Sequence, residues 1–258
     1  MKLSIIKKLI ALILFLPIIC GCIISSSAEG GLHWYLKRCK GKAPNFPREA
    51  EEIKQYGAVY LDESVNDNNK KIYLTFDAGY ENGNIEKILD TLKAESVPAA
   101  FFLLDNIILK NKDLVIRMAD EGHLVCNHTK NHKDLSFATE SEIAKDLKAL
   151  EMIYEEKTGR EMARFFRFPE GKYSIEALKC VQKLGYTTVF WSFAYDDWDN
   201  GRQPDTKKAI KKVLDNTHNG AIMLFHPTSR TNAEIFPTLI KEWKNMGYSF
   251  GTLDELIK

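Results

Sequence analysis

The chain has 258 residues, 45% of them hydrophobic, and a formal net charge of +1. That length suits one large core with a short appendage. With that near-neutral balance, nothing argues for a nucleic-acid groove.

Lys2, Lys7 and Lys8 precede an apolar run from Leu9 to Cys20, the layout of a secretory signal. Ser26-Ser27-Ala28 offers a small-residue cleavage site. Ile19-Cys20-Gly21-Cys22 also resembles a bacterial lipobox, which would put a lipid on Cys22. A retained anchor is the third option, because the apolar stretch continues brokenly through Ile24. Cleavage ranks first and lipidation second, and all three options put the body of the protein outside the cytoplasmic membrane. The chain therefore divides into a signal over 1–28, an N-terminal arm over 29–70 and a main domain over 71–258.

In the arm, Pro44 and Pro47 forbid a helix beside the basic patch Lys37–Lys40. Arg48–Tyr56 predicts a short helix and Ala58–Tyr60 a short strand. Trp34 and Tyr35 read as packing groups rather than substrate contacts. Three cysteines follow the signal, Cys39, Cys126 and Cys180. Such an odd count does not suggest a disulfide framework, although one pair stays open.

From Lys71 onward, strand and helix patterns alternate. Strands are expected at Ile72–Phe76, Ala99–Leu104, His123–Asn127, Ala163–Phe168, Thr187–Ser192, Ala221–His226 and Tyr248–Thr252. The clearest helix is Ser141–Thr158, with Ile143, Leu147, Leu150 and Ile153 on one face and Gly159 at its end. Asp113–Asp120, Ser174–Leu184 and Thr206–Leu214 follow the same pattern. Asn232–Met246 contains Pro237, which either kinks it or lies in its first turn. Repeated strand–helix units imply an α/β fold with a parallel sheet and helices outside. Seven strands suggest a closed or nearly closed barrel of fewer than eight units, with an open doubly wound sheet as the alternative. No Gly-rich nucleotide loop follows any strand.

Reactive side chains fall where the strands stop. Asp77 appears where the apolar run Ile72–Phe76 stops, within KIYLTFDAGYENGN. His128 and His132 follow the third strand, Arg167 ends the fourth, Asp196 and Asp197 follow the fifth, and His226 ends the sixth. In a parallel barrel those ends share one face, so residues far apart in sequence meet at one cleft. Each has a plainer reading taken singly: a turn acid, surface histidines, a structural ion pair, a satisfied strand-end histidine. Their coincidence at one face favours a site. The four-residue spacing of His128 and His132 puts both rings on one side of a helical turn, a divalent-metal spacing with open positions for water. Asp77 then reads as the base for a water activated there. Arg167 would hold Asp77 ionised, and His226 would protonate a leaving nitrogen.

TFDAG (Thr75–Gly79), HTKNH (His128–His132), RFPEG (Arg167–Gly171), DDW (Asp196–Trp198) and LFH (Leu224–His226) resemble, in order and spacing, the motifs of the polysaccharide deacetylases. These are the NodB-homology enzymes of carbohydrate esterase family 4. The runs PAAFF, EGHLVCNHTKNHKDLS, TVFWS and SRTNAE look like the delta-lactam-biosynthetic branch of peptidoglycan deacetylases. The resemblance covers about residues 70–258. It implies a seven-stranded distorted barrel and one divalent ion, zinc foremost. It also implies N-deacetylation of N-acetylmuramic acid in peptide-stripped peptidoglycan, leading to muramic delta-lactam in spore cortex. The oxyanion would be met by a backbone N–H near Tyr80, and the acetyl methyl by Trp198 and Leu224. Two departures stand out: Ala78 replaces the second acid of the first motif, and Ala194 replaces the acid that orients the catalytic histidine. Asp196 or Asp197 is then the candidate partner of His226. The expected partner is a glycan strand, with membrane contact only through the signal or a lipid on Cys22, and a monomeric chain. The expected location is the wall or the forespore intermembrane space. Rival readings are a deacetylase of N-acetylglucosamine in peptidoglycan or chitin-like oligomers, and an inactive wall-glycan-binding protein on the same scaffold.

Overall fold

A computed structural model describes residues 31–257. The readings made for 1–28, including Cys22, lie outside the described residues.

The arm begins with β1 (Leu32–His33), then a hairpin of β2 (Lys37–Cys39) and β3 (Lys42–Asn45), a short α1 (Ala50–Lys54) and β4 (Ala58–Val59). The hairpin was not expected; the prolines that forbid a helix leave the chain extended there. The main domain runs β5 (Lys71–Ala78), α2 (Ile85–Glu95), β6 (Ala100–Leu103), α3 (Asp105–Lys110), α4 (Lys112–Asp120), β7 (Leu124–Asn127), α5 (Glu140–Thr158) and β8 (Ala163–Phe166). It continues with β9 (Lys172–Tyr173), α6 (Ile175–Lys183), β10 (Thr187–Val189), α7 (Thr206–Asp215), β11 (Ala221–Phe225), α8 (Arg230–Asn245) and β12 (Ser249–Phe250).

The main sheet has the path β11-β5-β6-β7-β8-β10-β4, seven strands, with β12 paired to the far end of β5. Every named strand pair in it is parallel. Its ends curl toward each other and meet through single bridges, Leu61 to Ala221 and Phe193 to Met223. The result is a distorted barrel. One membership differs from expectation: the arm's β4 completes the path, while the last strand shrinks to an offshoot. The arm is thus part of the sheet and not merely packed on it.

Strand β5 shows why the sequence folds this way. Ile72, Leu74 and Phe76 enter the core shared with α2 and α8, while Tyr73 joins Phe102, Cys126, Phe165 and Ile222 inside the barrel. A strand buried on both faces needs a continuous apolar run, which this is. Residues two apart share a face, so Tyr73, Thr75 and Asp77 form one inward column rising to the mouth.

The helices have legible ends. Thr139 and Glu142 form a capping box on α5, and Gly159 closes it in the left-handed conformation. Helix α2 was missed, although Ile85, Ile88, Leu89 and Leu92 lie at helical steps and are buried. Helix α3 is only six residues long, too short for periodicity to show. Pro237 lies well inside α8, beyond the first turn. Strand β8 stops at Phe166 because Phe168-Pro169 turns into a short 3-10 segment. Cys39, Cys126 and Cys180 are free thiols, so the open cysteine pair does not form.

The arm is also fastened on either side of α1. β1 pairs antiparallel with β9, and the Trp34 amide and indole donate to Gly171 O at 2.8 Å and Trp191 O at 2.9 Å. Further on, Asp62 N donates to Gly220 O at 2.9 Å. Gly220 has φ +74°, and a Cβ there would stand 2.0 Å from Asp62 O. Gly220→Ala therefore meets left-handed strain of ~1–2 kcal/mol and a backbone clash besides. The expected result is a loss above about 2 kcal/mol in urea unfolding; a loss within 0.5 kcal/mol, the ordinary surface range, would contradict this closure.

Candidate active site

Asp77 stands at the mouth of the barrel with its side chain 9% exposed, and its Oδ1 accepts from Arg167 Nη1 at 2.7 Å. Arg167, which follows β8, is wholly buried. Its Nε donates to Val189 O at 2.9 Å and its Nη2 to Thr75 Oγ1 at 2.9 Å, and its guanidinium lies 4.1 Å from the Phe102 ring centre. Burial pushes the Asp77 carboxyl upward. The Arg167 charge, helped by His128 and His226, outweighs burial and holds it below the usual carboxylate range.

His128 is buried, and its Nδ1 donates to Arg167 O at 2.8 Å. A carbonyl only accepts, so Nδ1 carries the hydrogen and Nε2 keeps its lone pair. That Nε2 faces Asp77 Oδ2 at 3.5 Å. Burial lowers its pKa to about 4, which keeps the ring neutral. The His132 ring lies 5.1 Å from it at 73°. The expected helical turn is absent. Residues 128–134 form a loop, with Thr129 at φ +71° and His132 at φ +62°. Asn127 Oδ1 accepts Thr129 N at 3.0 Å, and Asp146 Oδ1 accepts Lys130 N at 2.8 Å, so side-chain acceptors replace helical bonding.

His226 follows β11, with its side chain 28% exposed over a fully buried Asp197. Its Nδ1 donates to Asp197 Oδ1 at 2.8 Å, and its amide to Asp197 Oδ2 at 2.9 Å. Asn232 Nδ2 donates to Asp197 Oδ2 at 2.6 Å and to His226 O at 3.0 Å. Burial alone would lower the His226 pKa, but Asp197 reverses this and the ring ends above its ordinary value. Of the two candidate partners, Asp197 is the one in place. Asp196 is exposed, and the Ala194 carbonyl accepts from Arg38 Nη1 at 2.9 Å.

The rim is looser. Leu224 is 5% exposed and shares the face of His226, two residues on. Trp198 and Tyr80 stand at the surface, 61% and 46% exposed. Tyr80 Oη accepts from Asn200 Nδ2. Asn232 and Thr75 escaped notice as site residues. Both sit in motif runs, SRTNAE and TFDAG, but a neutral side chain gives no sign in sequence that it braces a charged one.

A divalent ion fits this donor set in one respect: His128 offers a neutral nitrogen braced by a carbonyl, the usual support of a metal-bound imidazole. Ala78 is buried where the first motif would carry a second acid. Among the described residues, no three His, Cys, Asp or Glu side chains are grouped to hold an ion.

Residues 64–189 match the family model for polysaccharide deacetylase. The peptidoglycan-N-acetylmuramic acid deacetylase PdaA of Bacillus subtilis is 37% identical over 88% of this chain and 86% of that protein. The structure of B. subtilis PdaA, a family 4 carbohydrate esterase, superposes with a TM-score of 0.83 at 36% identity, over 88% of this chain and 97% of that one. A family 4 carbohydrate esterase from Bacillus anthracis superposes at 0.73 and 32% identity, over 88% and 96%. By these matches, and by the site they surround, the chain belongs to the polysaccharide deacetylases, the family 4 carbohydrate esterases.

Proposed function

We propose that this chain removes the acetyl group from N-acetylmuramic acid in peptide-stripped peptidoglycan, outside the cytoplasmic membrane. The observation that carries the reading is a pair of opposed groups at one rim: Asp77, paired with Arg167 at 2.7 Å and pushed below the usual carboxylate range, and His226, paired with Asp197 at 2.8 Å and pushed above its ordinary value. Groups pushed apart in this way supply a base and an acid at the same pH. The likeness to PdaA, named for N-acetylmuramic acid, supports the choice of sugar.

Asp77 Oδ2 takes a proton from water as the water oxygen bonds the acetyl carbon. A backbone N–H at Tyr80 meets the oxyanion. Leu224 and Trp198 border the space for the acetyl methyl. His226 Nε2 gives its proton to the nitrogen as the C–N bond breaks, and acetate leaves. The freed amine lies on the same sugar as the lactyl carboxyl, so loss of water between them closes a delta-lactam. Held by His128 and His132, a divalent ion, zinc foremost, would supply Lewis acidity toward the acetyl oxygen.

Wild type is expected to release acetate from peptide-free strands and to leave peptide-bearing strands untouched. His226→Ala should slow release about 10²-fold or more. Mass spectrometry of digested glycan reads the sugar, and deacetylated glucosamine as the sole product would overturn the choice of muramic acid. His128→Ala should weaken zinc binding by at least about 10-fold in a competition titration with a chromogenic chelator. Equal affinity in wild type and variant would remove His128 from the ligand set.

A further inference from the structure

A polar pocket of about 410 Å³ opens beside the proposed centre, lined by Asn82, Asn200, Arg202, Gln203 and Arg230 among others. Its walls grow from the segments that carry the chemistry. Asn82 Nδ2 and Asn84 Nδ2 donate to Thr228 O at 2.8 and 2.9 Å, and Thr228 lies two residues beyond His226. Two residues of chain span at most roughly 7 Å. Asn200 donates to Tyr80, three residues beyond Asp77. Gln203 Nε2 donates to Asp197 O at 3.1 Å and Asp199 O at 2.9 Å, while its Oε1 accepts Ser229 Oγ at 2.6 Å and Thr231 N at 3.1 Å. The pocket floor is therefore stitched to the loop that holds Asp197 and to the start of α8.

Two guanidinium groups face this floor without a strong partner. Arg202 Nε is 4.0 Å from Asp199 Oδ2, and its side chain is 82% exposed. Arg230 Nε is 3.8 Å from Glu234 Oε1, and its side chain is 74% exposed. Ion pairs this long and this wet hold little. Among the described residues, neither side chain makes a hydrogen bond. Two free planar forks at one pocket suit a carboxylate, which each can meet with paired N–H donors. On a peptide-free glycan, the carboxylate is that of the lactyl ether.

We propose that Arg202 and Arg230 form a subsite for the lactyl carboxylate of the glycan strand, adjoining the acetamide site. The inference rests on the deacetylase reading above and gives it a source of selectivity. Peptide attached to the lactyl group turns this carboxylate into an amide and removes the charge that the arginines meet. A strand carrying only N-acetylglucosamine lacks the group altogether.

The test is isothermal titration of the full chain with two peptide-free strands, one with free lactyl carboxylates and one with those groups converted to primary amides. Wild type should prefer the free acid by about 10-fold or more in Kd. The Arg202→Gln/Arg230→Gln double variant should lose that preference, with a ratio near 1, and the Arg202→Lys/Arg230→Lys variant should regain part of it. A wild-type ratio near 1, or a double variant that keeps the wild-type ratio, overturns the subsite. Acetate release followed in parallel judges the deacetylase reading separately, since a preference in binding without release would sink that reading and keep the subsite.

Discussion

Asp77→Asn is expected to cut acetate release from peptide-free glycan by about 10³-fold, the span of a lost general base. The change keeps the shape of the side chain and removes only its charge. Two consequences separate this from a local disturbance. The first is stability: Arg167 is wholly buried and loses its ionic partner at 2.7 Å. Breaking such a pair costs ~3–5 kcal/mol, because the remaining charge stays desolvated. Urea unfolding should therefore show a clear loss. The remaining bonds of Arg167 to Thr75 and Val189 keep the loss toward the lower end. The second is rescue, because Asp77→Glu returns the charge but displaces it and should recover stability more than rate. An Asp77→Asn variant with wild-type turnover would remove the base from the mechanism.

Asp197→Asn is expected to lower kcat by about 10²-fold at neutral pH, with little change in KM. The cause is a proton and not a contact with substrate. Burial drives the His226 pKa down, and the Asp197 charge brings it back above the ordinary value. His226 donates only while protonated, so activity persists below its pKa and fades above it. Without the Asp197 charge, that pKa falls, and the alkaline limb of the rate profile moves to lower pH. Asp77 acts only while ionised, so the acid limb is set below the usual carboxylate range and should stay where it is. A variant whose two limbs both match wild type would show that Asp197 does not set the protonation of His226.

Much of this was legible because parallel strands leave a simple mark. The column Tyr73, Thr75, Asp77 can be read from alternation alone, and so can the placing of Asp77, Arg167 and His226 at strand ends. Capping fixed the ends of α5 in the same way. Other features depend on contacts that no local pattern encodes. The two-residue β4 gained its place by pairing with β10, far along the chain. His128 and His132 are brought together by a loop whose amides are met by Asn127 and Asp146, and sequence spacing suggested a helix instead. The choice of Asp197 over Asp196 turned on which of two neighbours points inward, a matter of one residue of twist.

The fastening of β1 and β4 has a bearing on how the enzyme can be dissected. The family match starts at residue 64, beyond both strands. A fragment cut there would bare the flank of β10 and unpin Gly171, four residues from Arg167. Bare strand flanks recruit other chains. The minimal autonomous unit is thus longer than the motif-bearing segment, and the N-terminal arm braces the loop that follows the guanidinium on which the charge of Asp77 depends.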